Sequence, residues 1–221
     1  QDPKGGISPL SRIGTDAWAV LLLLVLPAIF FWPVIAGGKV LLPADNLYQY
    51  LPWQADAAGL GVGTPHNTLL SDLILENYPW KRFIVDCLRS RQIPLWNPQI
   101  FAGVPFLAAG QHSALYPLSL LFYVLPIPQA FGYLAAFTLF LAGVNMYVFL
   151  RVLGAGPPGS LIGGITYAFS GFFVVSVVFP MIISAAAWLP LLLAIVELLA
   201  TRKQAQQTLL VVGGAVILGV Q

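Results

Sequence analysis

The sequence predicts an all-α polytopic membrane protein with about five transmembrane segments, the last incomplete, and one long extracytoplasmic loop holding an amphipathic interfacial helix. Three observations carry this. Hydrophobic residues make up 58% of the chain and charged residues 8%, where a soluble domain carries roughly 25% charge. Apolar runs of membrane-crossing length recur along the sequence. Most titratable side chains gather in the one polar stretch between the first two runs. The net charge of +2 is small and dispersed, so no nucleic-acid partner is indicated. Cys87 is the only cysteine, so no disulfide can form within the chain.

Residues 1–16 form a short cytoplasmic segment, and residues 17–36 the first span. That run contains Pro27 and Pro33 and lacks a small-residue cleavage site at its end, which marks a retained anchor rather than a signal peptide. Residues 37–129 form the long loop, and residues 130–221 a bundle with spans near 130–150, 160–179, 182–200 and 208–221. The last run is 14 residues long. As helix it covers about 21 Å, short of a hydrocarbon core of roughly 30 Å. The sequence therefore reads as the N-terminal part of a longer protein. Leu115–Pro126 is apolar but too short to cross, and dips into the interface or extends the second span.

Orientation follows the basic residues of the short linkers. Arg12, Arg151, Arg202 and Lys203 all fall on one side after four crossings, which puts them and the N-terminus in the cytoplasm and the long loop outside. Within the spans, Gly159/Gly163 and Gly164/Ala168 have the spacing of close helix packing. Asn145 suits a hydrogen bond between helices. Glu197, near Arg202 and Lys203, suits an interfacial position reached by snorkelling.

The loop holds five of the eight acids, Asp45, Asp56, Asp72, Glu76 and Asp86, and both histidines, His66 and His112. A membrane protein that keeps its titratable groups on one side does its work there. Asp45…Pro52-Trp53 and Asp72…Pro79-Trp80 share one spacing, the mark of a duplicated segment or of chance. After Pro79, the residues Trp80, Phe83, Ile84, Cys87 and Leu88 fall on one helical stripe. Lys81, Arg82, Asp86 and Arg89 then take the other faces. Pro79 suits the first turn of that helix. The helix either lies in the membrane interface with its cations toward lipid phosphates, or packs on the spans. Beyond it, Ile93-Pro-Leu-Trp-Asn-Pro98 and Phe101-Ala-Gly-Val-Pro-Phe106 predict an ordered, irregular loop. No nucleophile elbow, phosphate-binding glycine loop or paired-His zinc spacing is present in the sequence.

The run Ser71-Asp-Leu-Ile-Leu-Glu-Asn-Tyr-Pro-Trp-Lys-Arg-Phe83, with Ile93–Pro98, Phe101–Phe106 and Gln111…Tyr116-Pro117, resembles bacterial YfhO-like membrane proteins of the GT-C class of glycosyltransferases. The resemblance covers about residues 40–200. It implies transfer of a sugar from a polyprenyl-phosphate carrier to a cell-envelope acceptor at the outer face of the plasma membrane. An acid of the first outer loop then acts as base toward the acceptor, or helps hold a divalent metal such as Mg or Mn. By position Asp45 is the first candidate and Asp72 the second; either could instead cap a helix. Lys81, Arg82, Arg89 and Arg91 are the candidates for neutralising the carrier phosphate, and His112 joins them as a substrate-binding candidate. As a lone histidine without a local partner pattern, it also suits a surface or capping position. The second outer loop, Phe179-Pro-Met181, lacks the acid that some GT-C enzymes place there, which puts metal dependence in doubt. The alternative is a non-catalytic integral membrane subunit that keeps the family fold and binds a larger membrane complex. A transporter fits less well, since no charge marks a midplane path.

Overall fold

Proline, glycine and small residues decide where the helices start, break and touch. The computed structural model describes residues 9–201 and 204–219. In chain order the helices are α1 (Pro9–Phe30), α2 (Trp32–Ile35), α3 (Gln54–Ala57), α4 (Tyr78–Arg89), α5 (Phe106–Ala109), α6 (Leu121–Val124), α7 (Ile127–Val152), α8 (Pro157–Ala168), α9 (Gly171–Val175), α10 (Pro180–Thr201) and α11 (Gln204–Gly219). Between α4 and α5 run two short strands, β1 (Trp96–Asn97) and β2 (Val104–Pro105), paired antiparallel with Trp96 opposite Pro105. The protein is thus mostly helical, and three stretches are long and apolar enough to cross a membrane: Ile127–Val152, Pro157–Val178 and Pro180–Thr201. Gly14–Phe30 and Leu209–Gly219 are shorter apolar helices.

The predicted spans shift at their ends for local reasons. The first helix yields at Phe31, four residues after Pro27, and resumes as α2 with Pro33 in its first turn. The third predicted span is not one helix. α8 stops at Ala168, Phe169 and Ser170 form a turn, and the chain goes on as α9 and a 3-10 turn over Ser176–Val178. Arg202 and Lys203, two of the four basic residues that set the expected orientation, lie outside the described residues.

The chain forms two compact units, one built from residues up to Trp32, Ala136–Val175 and from Ile183 onward, the other chiefly from Pro33–Ala135 with Ser176–Ile182. In the first, α1 packs on α8. A Cβ added at Gly164 would stand 2.7 Å from the Gly143 carbonyl oxygen, so α7 and α8 touch backbone to backbone there. In lipid, contact of this kind replaces the hydrophobic drive that water supplies to soluble cores. A side chain at Gly163 would strike Leu150, while Gly159 faces open space. The expected small-residue packing therefore rests on Gly163, Gly164 and the buried Ala168. Asn145 donates to the Ala187 carbonyl at 2.8 Å, the predicted bond between helices. Asp16 accepts the Tyr147 hydroxyl and pairs with Arg151 at 3.3 Å, tying α1 to α7.

In the second unit, the foot of α7 meets α2: the Tyr133 hydroxyl donates to the Ile35 carbonyl at 3.1 Å, and Gly132 leaves room for Val34. The two segments of matching Asp, Pro and Trp spacing fold differently. Ala44–Gln49 is a 3-10 helix, whereas Leu73–Asn77 is a π-helical turn that runs straight into α4.

Candidate functional site

The site is built on α4. Pro79 occupies its first turn as predicted. Its C-terminus closes with Arg91 N–H on the Leu88 carbonyl and Gln92 N–H on the Cys87 carbonyl. Arg91 sits there at φ 56°, a left-handed position where glycine is usual. The buried line of α4 differs from the predicted stripe. It runs through Lys81, Ile84 and Val85, continuing the buried Asn77 of the preceding turn. Trp80, Phe83 and Cys87 are half-buried and Leu88 is exposed.

Lys81 thus departs furthest from what the sequence predicts. Its place is not on a polar face toward lipid phosphates; the residue is only 4% exposed. Its Nζ donates to the His112 carbonyl at 2.7 Å and to Ser119 Oγ at 3.1 Å, and stands 4.8 Å from the centre of the Phe122 ring. Carbonyl, hydroxyl and ring favour the ammonium form. Burial opposes it and wins, pushing the amine down from 10.5 to about 7. No carboxylate pairs with it among the described residues.

His112 is buried too, not a surface residue. The Ala114 N–H donates to Nδ1 at 3.1 Å, so Nε2 carries the proton and donates to the Phe106 carbonyl at 2.6 Å. Its ring stacks on Phe106 at 4.0 Å. Burial holds the imidazole below its usual range. With both nitrogens bonded to backbone, His112 shapes the 106–119 segment and leaves no ring nitrogen for a substrate.

Arg82 and Arg89, two turns apart on α4, lie together on its exposed side. They border a cleft of about 200 Å³ walled by Tyr78, Phe122, Leu125 and Ile127. Arg82 Nε pairs with Asp86 Oδ2 at 2.9 Å, which leaves its terminal amino groups free to donate. Arg89 has no ion pair among the described residues. Ile127 opens the longest of the membrane-length helices, so the cleft joins two cations to the foot of that apolar helix. Lys81, facing inward, and Arg91, beyond the last turn, do not line it.

Asp45 lies within the first turn of the 3-10 helix and caps no helix at Leu47. Its Oδ2 instead accepts the His66 N–H at 2.8 Å, and the buried Asn46 beside it donates to the Asn67 carbonyl at 2.9 Å. These bonds join segments 21 residues apart. Oδ1 of Asp45 has no protein partner among the described residues. Asp72 stands at the start of the π-helical turn, exposed, and its side chain makes no capping bond. No hydrogen bond or ion pair joins either acid to Arg82 or Arg89 among the described residues.

A divalent metal finds no ready donor set: among the described residues no three His, Cys, Asp or Glu side chains are grouped to hold an ion, and Asp45 commits one oxygen to His66. Sequence pattern missed Ser119, Phe122 and Tyr78. Only the i+4 and i−3 relation of Lys81 to Asn77 and Ile84 hints that this lysine turns inward. Comparison with family models, with curated proteins and with solved structures finds no match to this chain.

Proposed function

We propose that the protein is a GT-C-like membrane glycosyltransferase of the YfhO-like kind. It takes a sugar from a polyprenyl-phosphate carrier and passes it to a cell-envelope acceptor at the outer face of the bacterial plasma membrane. In this reading the chain crosses about five times, with its N-terminus in the cytoplasm and residues 37–129 outside. The observation that carries it is the cleft: two arginines over an apolar wall at the foot of a membrane-length helix suit a phosphate whose hydrocarbon tail stays in lipid. Asp45 takes the proton of the acceptor hydroxyl as that oxygen bonds to the anomeric carbon. The carbon–oxygen bond to phosphate breaks, and the departing polyprenyl phosphate keeps its electron pair beside Arg82 and Arg89. Asp72 is the second candidate for the base.

Binding of a long-chain polyprenyl phosphate to the full chain in nanodiscs tests the cleft, with the neutral polyprenol as control. Each of Arg82→Ala and Arg89→Ala is expected to weaken phosphate binding on the order of 10- to 100-fold, the worth of a charged hydrogen bond. Unchanged affinity in the double variant, or equal binding of the polyprenol, would remove the proposal's main support.

One observation favours a second reading, a non-catalytic subunit on the same scaffold. Asp45 already has a structural task in holding His66, and a chain without chemistry would keep it for that alone.

A further inference from the structure

Between Arg91 and Arg151 the sequence has no Asp, Glu, Lys or Arg. Only part of that stretch is transmembrane helix; the rest is the β1–β2 hairpin, α5, a 3-10 turn over Pro117–Leu120, and α6. Large apolar side chains on it face outward: Phe101 is 92% exposed, Val124 82% and Leu115 70%, with Ile93, Leu95 and Leu120 also exposed. Phe101 stands at the hairpin tip at φ 50°, a conformation a bulky residue rarely adopts. A water-facing loop would carry charges here and turn such rings inward.

We infer that the hairpin tip and the 115–124 segment are seated in the lipid of the bilayer interface, with Phe101 as a membrane-facing wedge. The occupant is lipid rather than a partner protein because the exposed 115–124 segment runs directly into a membrane-length helix. Val124 lies three residues before Ile127, the start of α7, which is at most about 11 Å along the chain. The base of the hairpin is fastened to that same foot. Phe106 N–H donates to the Leu95 carbonyl, Phe106 stacks on His112, and Lys81 links the His112 carbonyl to Ser119. Aromatic side chains at such a level match the belt that anchors membrane proteins at the headgroups. The inference is independent of any sugar-transfer activity.

Site-directed spin labelling tests it in the full chain, reconstituted into vesicles of phosphatidylethanolamine and phosphatidylglycerol. Cysteine is placed singly at Phe101, at Val124 and at the exposed Asp56 in a Cys87→Ser background. All three are exposed positions, so substitution there disturbs no packing. At 101 and 124, oxygen dissolved in lipid is expected to relax the label more than a water-soluble nickel chelate does, and at 56 the order reverses. Nickel reaching position 101 more readily than oxygen would overturn the inference. A label at 101 that neither relaxant reaches would overturn it too, since protein then covers the tip.

Discussion

Replacing Asp45 with Asn is expected to lower sugar transfer by roughly 10²- to 10⁴-fold, the usual contribution of a positioned general base. The substitution separates two tasks. The amide oxygen can still accept the His66 N–H, so the bond between the two loop segments survives and expression stays unchanged. The amide cannot take up a proton from an acceptor hydroxyl. Turnover falls while binding of polyprenyl phosphate, which rests on Arg82 and Arg89, is retained. Asp72→Asn, at an exposed carboxylate with no capping bond, is the companion variant. Transfer retained in both would remove these acids from the chemistry.

The second large effect concerns Lys81 and stability. In the unfolded chain this amine holds its proton up to about 10.5, in the folded protein only up to about 7. Between those values the unfolded state carries more protons, so folding stability rises with pH across the window and is flat below it. The slope reaches about 1.4 kcal/mol per pH unit. Lys81→Met fills the same volume with an uncharged chain and removes the slope, at the cost of one donor to the His112 carbonyl. Ser119 Oγ keeps its own bond to the Ser113 carbonyl at 2.6 Å. Unfolding midpoints of the full chain in mild detergent, followed from about pH 7 to about pH 10, read the difference between the two proteins. Parallel curves would mean that Lys81 is charged in the folded state throughout.

The long apolar helices were legible because length and composition alone determine them, and α4 because Pro79 and a helical period coincide. Asn145 and the Gly164–Ala168 pair were legible for a related reason: a lone amide or a small-residue step inside an apolar run has few alternatives to packing. The inward turn of Lys81 was not. Its acceptors come from residues 31 and 38 positions away, and local periodicity places a lysine outside by default. Distance also hid the role of Asp45, whose partner His66 lies 21 residues on; His112 pairs with Phe106 only 6 residues away, across an irregular segment with no helical or strand period to mark it. The break after α8 was missed because Phe169-Ser170-Gly171 interrupts an apolar run without a proline. The hairpin is legible in the sequence only as an ordered loop, since strands of two residues carry no alternation to detect.

Whether this protein transfers sugar is decided by turnover of a lipid-linked sugar. The full protein in vesicles is given polyprenyl-phosphate sugars labelled in the sugar, together with envelope membranes as acceptor, and the label is followed out of the carrier. Label is expected to move to the acceptor as free polyprenyl phosphate accumulates, and Asp45→Asn is expected to stop both. Donors that bind at the Arg82–Arg89 cleft but stay intact, whatever the sugar, would contradict this and make this chain a non-catalytic subunit.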